Sequence, residues 1–127
     1  MDAEIYLVSF DQFASMLGDR EDRQVVLSAA KLCSEIIVGM FDGKPLVYLG
    51  LAPTTLISSE VYVWMIVTEE GQKHPFLIGR YAKKTLATIQ SKYPLIYGDC
   101  FSEKSARWLR SLGAEFVSET KFEFRRN

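Results

Sequence analysis

The residues able to do chemistry in this 127-residue chain are few and scattered. His74 is the only histidine, and it stands directly ahead of Pro75, a residue that often opens a helix because its missing N–H would be unpaired there anyway. Lys73, Arg80, Lys83 and Lys84 lie around it, so the start of that helix could attract an anion, although the same spacing suits a solvated helix face. Glu60 places an acid at the entrance to a strongly β-forming run, and Tyr62, Trp64, Tyr81 and Tyr97 add polar tips to aromatic bodies that also suit core packing. Cys33 and Cys100 form no CxxC or Cys/His pattern and read as small buried hydrophobes, with Cys100 at a strand end that could face a cleft. There is no Ser-His-Asp order, metal-ligand cluster or Walker loop. Acid–base chemistry and local anion binding are what the residue types support.

The elements that must position these groups follow from periodicity. Residues 4–10 alternate as a first strand with both faces covered, Asp11 is read as the cap of a helix over 12–17, and Gly18 ends it. A second helix runs from the charged residues 19–23 through the stripe Val25, Val26, Ala29, Leu32 and Cys33. Residues 36–41 and 46–51 are strands joined across Asp42-Gly43-Lys44-Pro45, where Asp-Gly tolerates the positive dihedrals of a tight turn. Residues 52–59 form a loop or edge strand. The run 60–67 (EVYVWMIV) is rich in β-branched and aromatic residues and belongs at the centre of the sheet.

A polar loop over 68–74 leads into a helix over 75–91 with Ile78, Ala82, Leu86 and Ile89 inward. The stretch 93–116 then reads as a strand through Leu95, Ile96 and Tyr97, a helix capped by Ser102 with Glu103 in its first turn, and an exit at Gly113 in the left-handed conformation. Ala106, Leu109 and Leu112 form the apolar stripe of that helix. Residues 116–117 and 121–124 close the fold as a strand or hairpin.

The length fits one domain over residues 1–127, and apolar and charged contents of 48% and 24% are those of an ordinary globular protein. A net charge of -1 gives no general pull toward nucleic acid or an anionic membrane. With no apolar run of membrane-span length and no basic start, the expected compartment is the cytoplasm.

The element order resembles the GNAT superfamily of N-acetyltransferases along essentially the whole chain. Two local phrases sharpen the resemblance: the Asp42-Gly43-Lys44-Pro45 turn, and Leu112-Gly113-Ala114, similar to the leucine-glycine-phenylalanine ending of the family's last helix. The run over residues 106–114 (ARWLRSLGA) is closer still to GNAT-like internal virion proteins of short-tailed bacteriophages. The resemblance implies an α/β (α+β) domain with a mixed, mostly antiparallel sheet flanked by helices. It implies acetyl-CoA as cofactor if the protein is active, with a small-molecule or protein amine as acceptor. Other virion proteins or a second copy of the chain are further partners it suggests, in host cytoplasm or virion.

Residue by residue, the family's pyrophosphate pattern of Arg or Gln, two residues, Gly, one residue, and Gly or Ala falls on residues 74–79. His74, Phe76, Leu77, Ile78, Gly79 and Arg80 are then cofactor-binding, with only Gly79 keeping the pattern, and Leu77 and Pro75 reducing phosphate approach and donors. Backbone around Ile66, Val67 and Thr68 would hold the pantetheine arm. Glu60 takes the place of the base and Tyr97 that of a substitute acid, with Tyr81 an alternative; Leu109 stands at the family's tyrosine position and Ser102 at its frequent asparagine position. The competing expectations are a non-catalytic virion-assembly or interaction protein and a CoA-binding sensor. A V-shaped gap between residues 63–67 and 95–97 is the structural feature expected to admit pantetheine.

Overall fold

In the computed structural model, residues 3–125 apart from residue 56 are described. The elements run β1 (Ala3–Val8), α1 (Phe10–Leu17), α2 (Arg23–Ala30), β2 (Glu35–Phe41), β3 (Lys44–Pro53), β4 (Glu60–Val67), α3 (Glu69–Gln72), α4 (Pro75–Lys92), β5 (Leu95–Asp99), α5 (Glu103–Ser111), β6 (Glu115–Phe116) and β7 (Lys121–Arg125). They build one sheet in the order β1-β2-β3-β4-β5-β7-β6. Every neighbouring pair is antiparallel except β4 with β5. The mixed, mostly antiparallel sheet flanked by helices is therefore as expected, with β4 at its centre.

The two faces of the sheet carry separate cores. Phe13 and Leu17 of α1 and Val26 and Ala30 of α2 pack on Ile36, Val38 and Tyr48, with Trp64 and Ile66 against them. Ile89 of α4 and Ala106 of α5 pack on Leu51, Val61, Ile96, Phe122 and Phe124 of the opposite face. Because side chains alternate along a strand, Val61 and Val63 of β4 face α4 while Trp64 and Ile66 face α1. The β2–β3 turn has Asp42 at φ 54° and Gly43 at φ 75°, the left-handed pair that a two-residue hairpin needs.

Several local expectations are corrected. The cap of α1 is Ser9, not Asp11: its Oγ accepts from Gln12 N–H at 3.1 Å while Gln12 Oε1 accepts from Ser9 N–H at 2.8 Å, a reciprocal capping box. Strand β1 is an edge, and Ile5, Tyr6 and Leu7 are exposed where both faces were expected to be covered. The helix α2 is shorter than the stripe suggested, and Val25 and Leu32 are outside. Its rotation is fixed by Arg23, whose Nη1 donates to Ala14 O at 2.7 Å and Gly18 O at 2.9 Å, tying its first turn to the end of α1. Within the expected polar loop at 68–74, Thr68 caps the short helix α3 by accepting from Gly71 N–H at 2.9 Å.

Candidate functional site

The site begins where two strands part. Registered pairing of β4 with β5 covers only Glu60↔Leu95, Val61↔Ile96 and Tyr62↔Tyr97, whereas β4 stays paired with β3 through Val67. Past Tyr62, residues 63–67 therefore have a strand on one side and no registered partner on the other; residues 95–97 are paired with 60–62, so β4 and β5 part only beyond Tyr97. Gly98 stands at the fork: a Cβ there would lie 2.8 Å from Val63 O and 2.7 Å from Phe122 Cζ, so any side chain would push the branches apart. Meanwhile β5 continues alongside β7 to Asp99↔Lys121, which holds it on its diverging course.

Above the fork lies a cavity of about 390 Å³ between the sheet, α4 and α5. Val63 and Met65 supply its floor, Ile78 and Tyr81 of α4 one wall, and Cys100 and Leu109 the other. It is mainly apolar, as small-molecule sites usually are. The stripe of α5 that includes Ala106, Leu109 and Leu112 turns toward this region because Ser102 caps the helix through Ser105 N–H at 3.0 Å and Gly113 releases the chain at φ 106°. Leu109, at the resembling family's tyrosine position, lines the cavity and offers no proton.

The start of α4 differs from the loop that the glycine pattern implies. The helix begins at Pro75, and Ile78 N–H already donates to His74 O at 3.2 Å, so Leu77, Ile78 and Gly79 lie inside regular helix. Phe76 and Leu77 are left as the first-turn donors, since proline has none. Phe76 is 91% exposed. A Cβ at Gly79 would meet nothing within 4 Å. Nearby cations are partly committed: Glu70 lies 3.4 Å from Lys73 Nζ, 3.8 Å from Lys44 Nζ and 3.9 Å from His74 Nε2. Desolvation works against ionisation of Glu70, yet the charges of Lys44, Lys73 and His74 together hold it below the usual carboxylate range. Arg80, Lys83 and Lys84 are exposed on α4.

Below the fork, on the face that α1 and α2 cover only as far as β4, stands a polar cluster. The Tyr62 hydroxyl donates to Asp99 Oδ2 at 3.0 Å, and the Tyr62 and Tyr97 rings meet edge-on at 5.4 Å. Tyr97 Oη is 3.3 Å from Thr54 Oγ1, and Lys121 Nζ lies 5.3 Å from the Tyr97 ring centroid. Burial, followed by the bond to Asp99 and its charge, pushes the Tyr62 phenol up to about 12. It is thus a neutral donor at any physiological pH. Asp99 also lines the cavity, so it links the two sides of the fork.

Of the site residues expected from sequence, Ile78 lines the cavity. Ile66 turns its side chain into the α1/α2 core, Val67 pairs with Val47, and Thr68 is occupied as a cap. Glu60 is exposed on the Tyr62 face, two registered pairs before Tyr62, and Tyr97 belongs to the cluster below the fork; Tyr81 lines the cavity above it. Asp99 was missed. The available signal was its place at the carboxyl end of β5, a member of the parallel pair, where ligands of open α/β sheets gather. Cys100 is buried as expected and lines the cavity, and burial pushes the half-buried Cys33 thiol up, away from thiolate chemistry. Among the described residues no group of His, Cys, Asp and Glu could hold a metal ion, and no helix is long and apolar enough to cross a membrane.

No family model and no curated protein matches the sequence. Solved structures do match the fold. The chain is similar to ribosomal-protein-S5-alanine acetyltransferase from Vibrio fischeri, at 13% identity over 100% of this chain and 94% of that one, with a TM-score of 0.72. It is similar to a GNAT family acetyltransferase from Brucella melitensis in complex with acetyl-CoA, at 13% identity over 99% and 89% of the two chains and a TM-score of 0.68. A spermidine N-acetyltransferase chimera from Vibrio cholerae gives 9% identity over 98% and 96%, with a TM-score of 0.70. At such identities the shared property is the fold: this chain has the architecture of GNAT acetyltransferases.

Proposed function

We propose that this protein is an acetyl-CoA-dependent N-acetyltransferase with a weakened pyrophosphate site. The observation that carries the reading is the fork between β4 and β5 opening into the α4/α5 cavity, together with the fold shared with acetyltransferases that include an acetyl-CoA complex. Bound acetyl-CoA would supply the thioester whose carbonyl carbon the acceptor nitrogen attacks, so that a C–N bond forms as the C–S bond breaks. The residues present fit the arm of that molecule better than its phosphates. Backbone of β4 beyond Tyr62, down to Ile66, Val67 and Thr68, borders the gap and would hold the arm. At the phosphate end, His74, Phe76, Leu77, Ile78, Gly79 and Arg80 would make the contacts, with two first-turn donors where a glycine loop would offer more and with Glu70 adding a repelling charge.

On the acceptor side, an incoming ammonium must lose a proton before it attacks. Asp99 at the fork and Glu60 at the open end of the same face are the carboxylates that would receive it. Tyr62 keeps Asp99 oriented through its hydroxyl. The departing thiolate would take its proton from Tyr97 or from water, because Leu109 has none to give. This Leu109 also favours a second reading, a non-catalytic GNAT-fold protein of phage or prophage origin that works in virion assembly, consistent with the phrase at residues 106–114.

Thermal unfolding with and without millimolar acetyl-CoA, followed by thiol-release assays over an amine panel, separates the readings. A ligand at 100 times its Kd stabilises by about 2.7 kcal/mol. A shift with thiol release that depends on an amine is the expected result; absence of any shift at millimolar acetyl-CoA overturns the enzyme reading, and a shift without turnover favours the non-catalytic one.

A further inference from the structure

We infer that the acceptor is a small amino acid, bound as a zwitterion between Asp99 and Lys121; this rests on the acetyltransferase reading above. Strands β5 and β7 are antiparallel with Asp99 opposite Lys121 and Tyr97 opposite Glu123, so all four side chains share one face with Tyr62. The α1 and α2 helices cover that face only from β2 to β4, which leaves this half open. Opposite charges on facing positions of neighbouring strands can form a stabilising pair. Here they do not: Asp99 accepts from Tyr62 at 3.0 Å, Lys121 Nζ lies over the Tyr97 ring at 5.3 Å, and neither joins an ion pair among the described residues. Glu123, by contrast, is taken by Arg125 at 3.1 Å.

The result is a patch with a carboxylate at the fork, two tyrosines edge to edge, and an ammonium one strand away. The short Asp99 side chain stays at the fork while the longer Lys121 stem carries its ammonium over the Tyr97 ring, so the two charges stand apart with room for a short amino acid between them. The acceptor amine belongs beside Asp99, since Asp99 is the member of the cluster that also borders the cavity. Its carboxylate then meets Lys121 on the neighbouring strand. A diamine of the same length would set its far ammonium against Lys121, and a simple alkylamine would leave Lys121 without a counter-charge.

Three probes sharing a four-carbon chain test this: γ-aminobutyrate, butylamine and diaminobutane. Binding is followed by the Tyr62 and Tyr97 ring resonances in the protein without acetyl-CoA, and acetylation is followed separately. The expected order places γ-aminobutyrate about tenfold ahead of the other two in both readouts, with Lys121→Met levelling the three and Lys121→Glu turning preference to diaminobutane. Diaminobutane or butylamine equal to γ-aminobutyrate in the unmodified protein, or a Lys121→Glu variant that keeps the original order, overturns the inference. Because the resonance titration needs no cofactor, failure of acetyl-CoA to bind sinks the transferase reading while leaving the zwitterion site to be decided on its own.

Discussion

Two glycines bracket the start of α4, and the same substitution at each should have opposite effects. At Gly71, in α3, a Cβ would lie 2.1 Å from Leu46 O, far inside the 3.4–4 Å of ordinary contact, and a backbone carbonyl cannot rotate away as a side chain can. That carbonyl also accepts from Thr68 N–H at 3.0 Å and from Thr68 Oγ1 at 3.1 Å, while Thr68 Oγ1 caps Gly71 itself. Moving α3 to relieve the overlap therefore costs the cap as well. Overpacking of about 1–3 kcal/mol and a lost cap of about 1 kcal/mol, less the roughly 1 kcal/mol by which alanine favours a helix, leave Gly71→Ala about 2 kcal/mol less stable. At about 4 °C per kcal/mol for a domain of this size, its Tm should fall by roughly 8 °C.

Gly79 is the contrast. It lies in the body of α4 with open space where a Cβ would stand, so Gly79→Ala should add about 0.5–1 kcal/mol and raise Tm by roughly 2–4 °C in the absence of ligand. The same open space is where the proposed phosphate contact would fall. Gly79→Ala should consequently weaken acetyl-CoA about tenfold, equivalent to about 1.4 kcal/mol. Far-UV circular dichroism melts give both stabilities, and titration calorimetry gives the affinity. A Gly71→Ala protein that melts at or above the parent refutes the packing argument; a Gly79→Ala protein with unchanged affinity refutes the phosphate placement without touching the fold.

The remaining predictions address the two sides of the fork and the core. Leu109→Tyr should restore a thiol-side donor and raise thiol release by at least about tenfold, given that positioned acids contribute about 10²–10⁴; unchanged turnover with acetyl-CoA binding intact would remove residue 109 from that role. Burial and Asp99 raise the folded-state pKa of Tyr62 from about 10 to about 12, so its contribution to stability is complete below about pH 10 and is lost as pH rises toward 12. Ultraviolet titration should show a tyrosine ionisation near that upper limit that is missing in Tyr62→Phe; loss in Tyr62→Phe of an ionisation near pH 10 instead would contradict the assignment. Phe13 is fully buried against Tyr48 and Trp64, and Phe13→Ala should cost about 3–5 kcal/mol in urea unfolding.

Much of the fold was legible because its signals are local. Asp42-Gly43 demands positive dihedrals, Pro75 opens α4, Ser102 caps α5 and Gly113 ends it, and each acts within a few residues of itself. What was not legible depends on contacts distant in sequence. Which valine of the pair Val25 and Val26 faces inward is decided by Arg23 reaching back to the end of α1. The exposure of Ile5 and Leu7 follows from β1 having a neighbour on one side only. The Ser9 and Gln12 capping box could have been read, but an aspartate at 11 competed with it as a cap of equal rank.

The candidate site shows the same division, with a physical cause for it. A pyrophosphate pattern is a sequence motif only while its residues stay in a loop, and here Ile78 N–H is bonded back to His74, so the helix has claimed the positions that the motif would use. Asp99, in contrast, belongs to no motif. It becomes notable only because β5 follows β7 away from β4, with Gly98 allowing the approach of Val63 O at the branch and Tyr62 reaching across to the carboxylate. The parting of the strands thus does two jobs at once: it opens the gap toward the α4/α5 cavity, and it carries an acid to the point where that gap meets the open face. Forcing the branches apart at their junction with Gly98→Ala should for that reason impair acetyl-CoA binding and displace the Tyr62–Asp99 bond together, and a variant that lost one and kept the other would refute the single geometric cause.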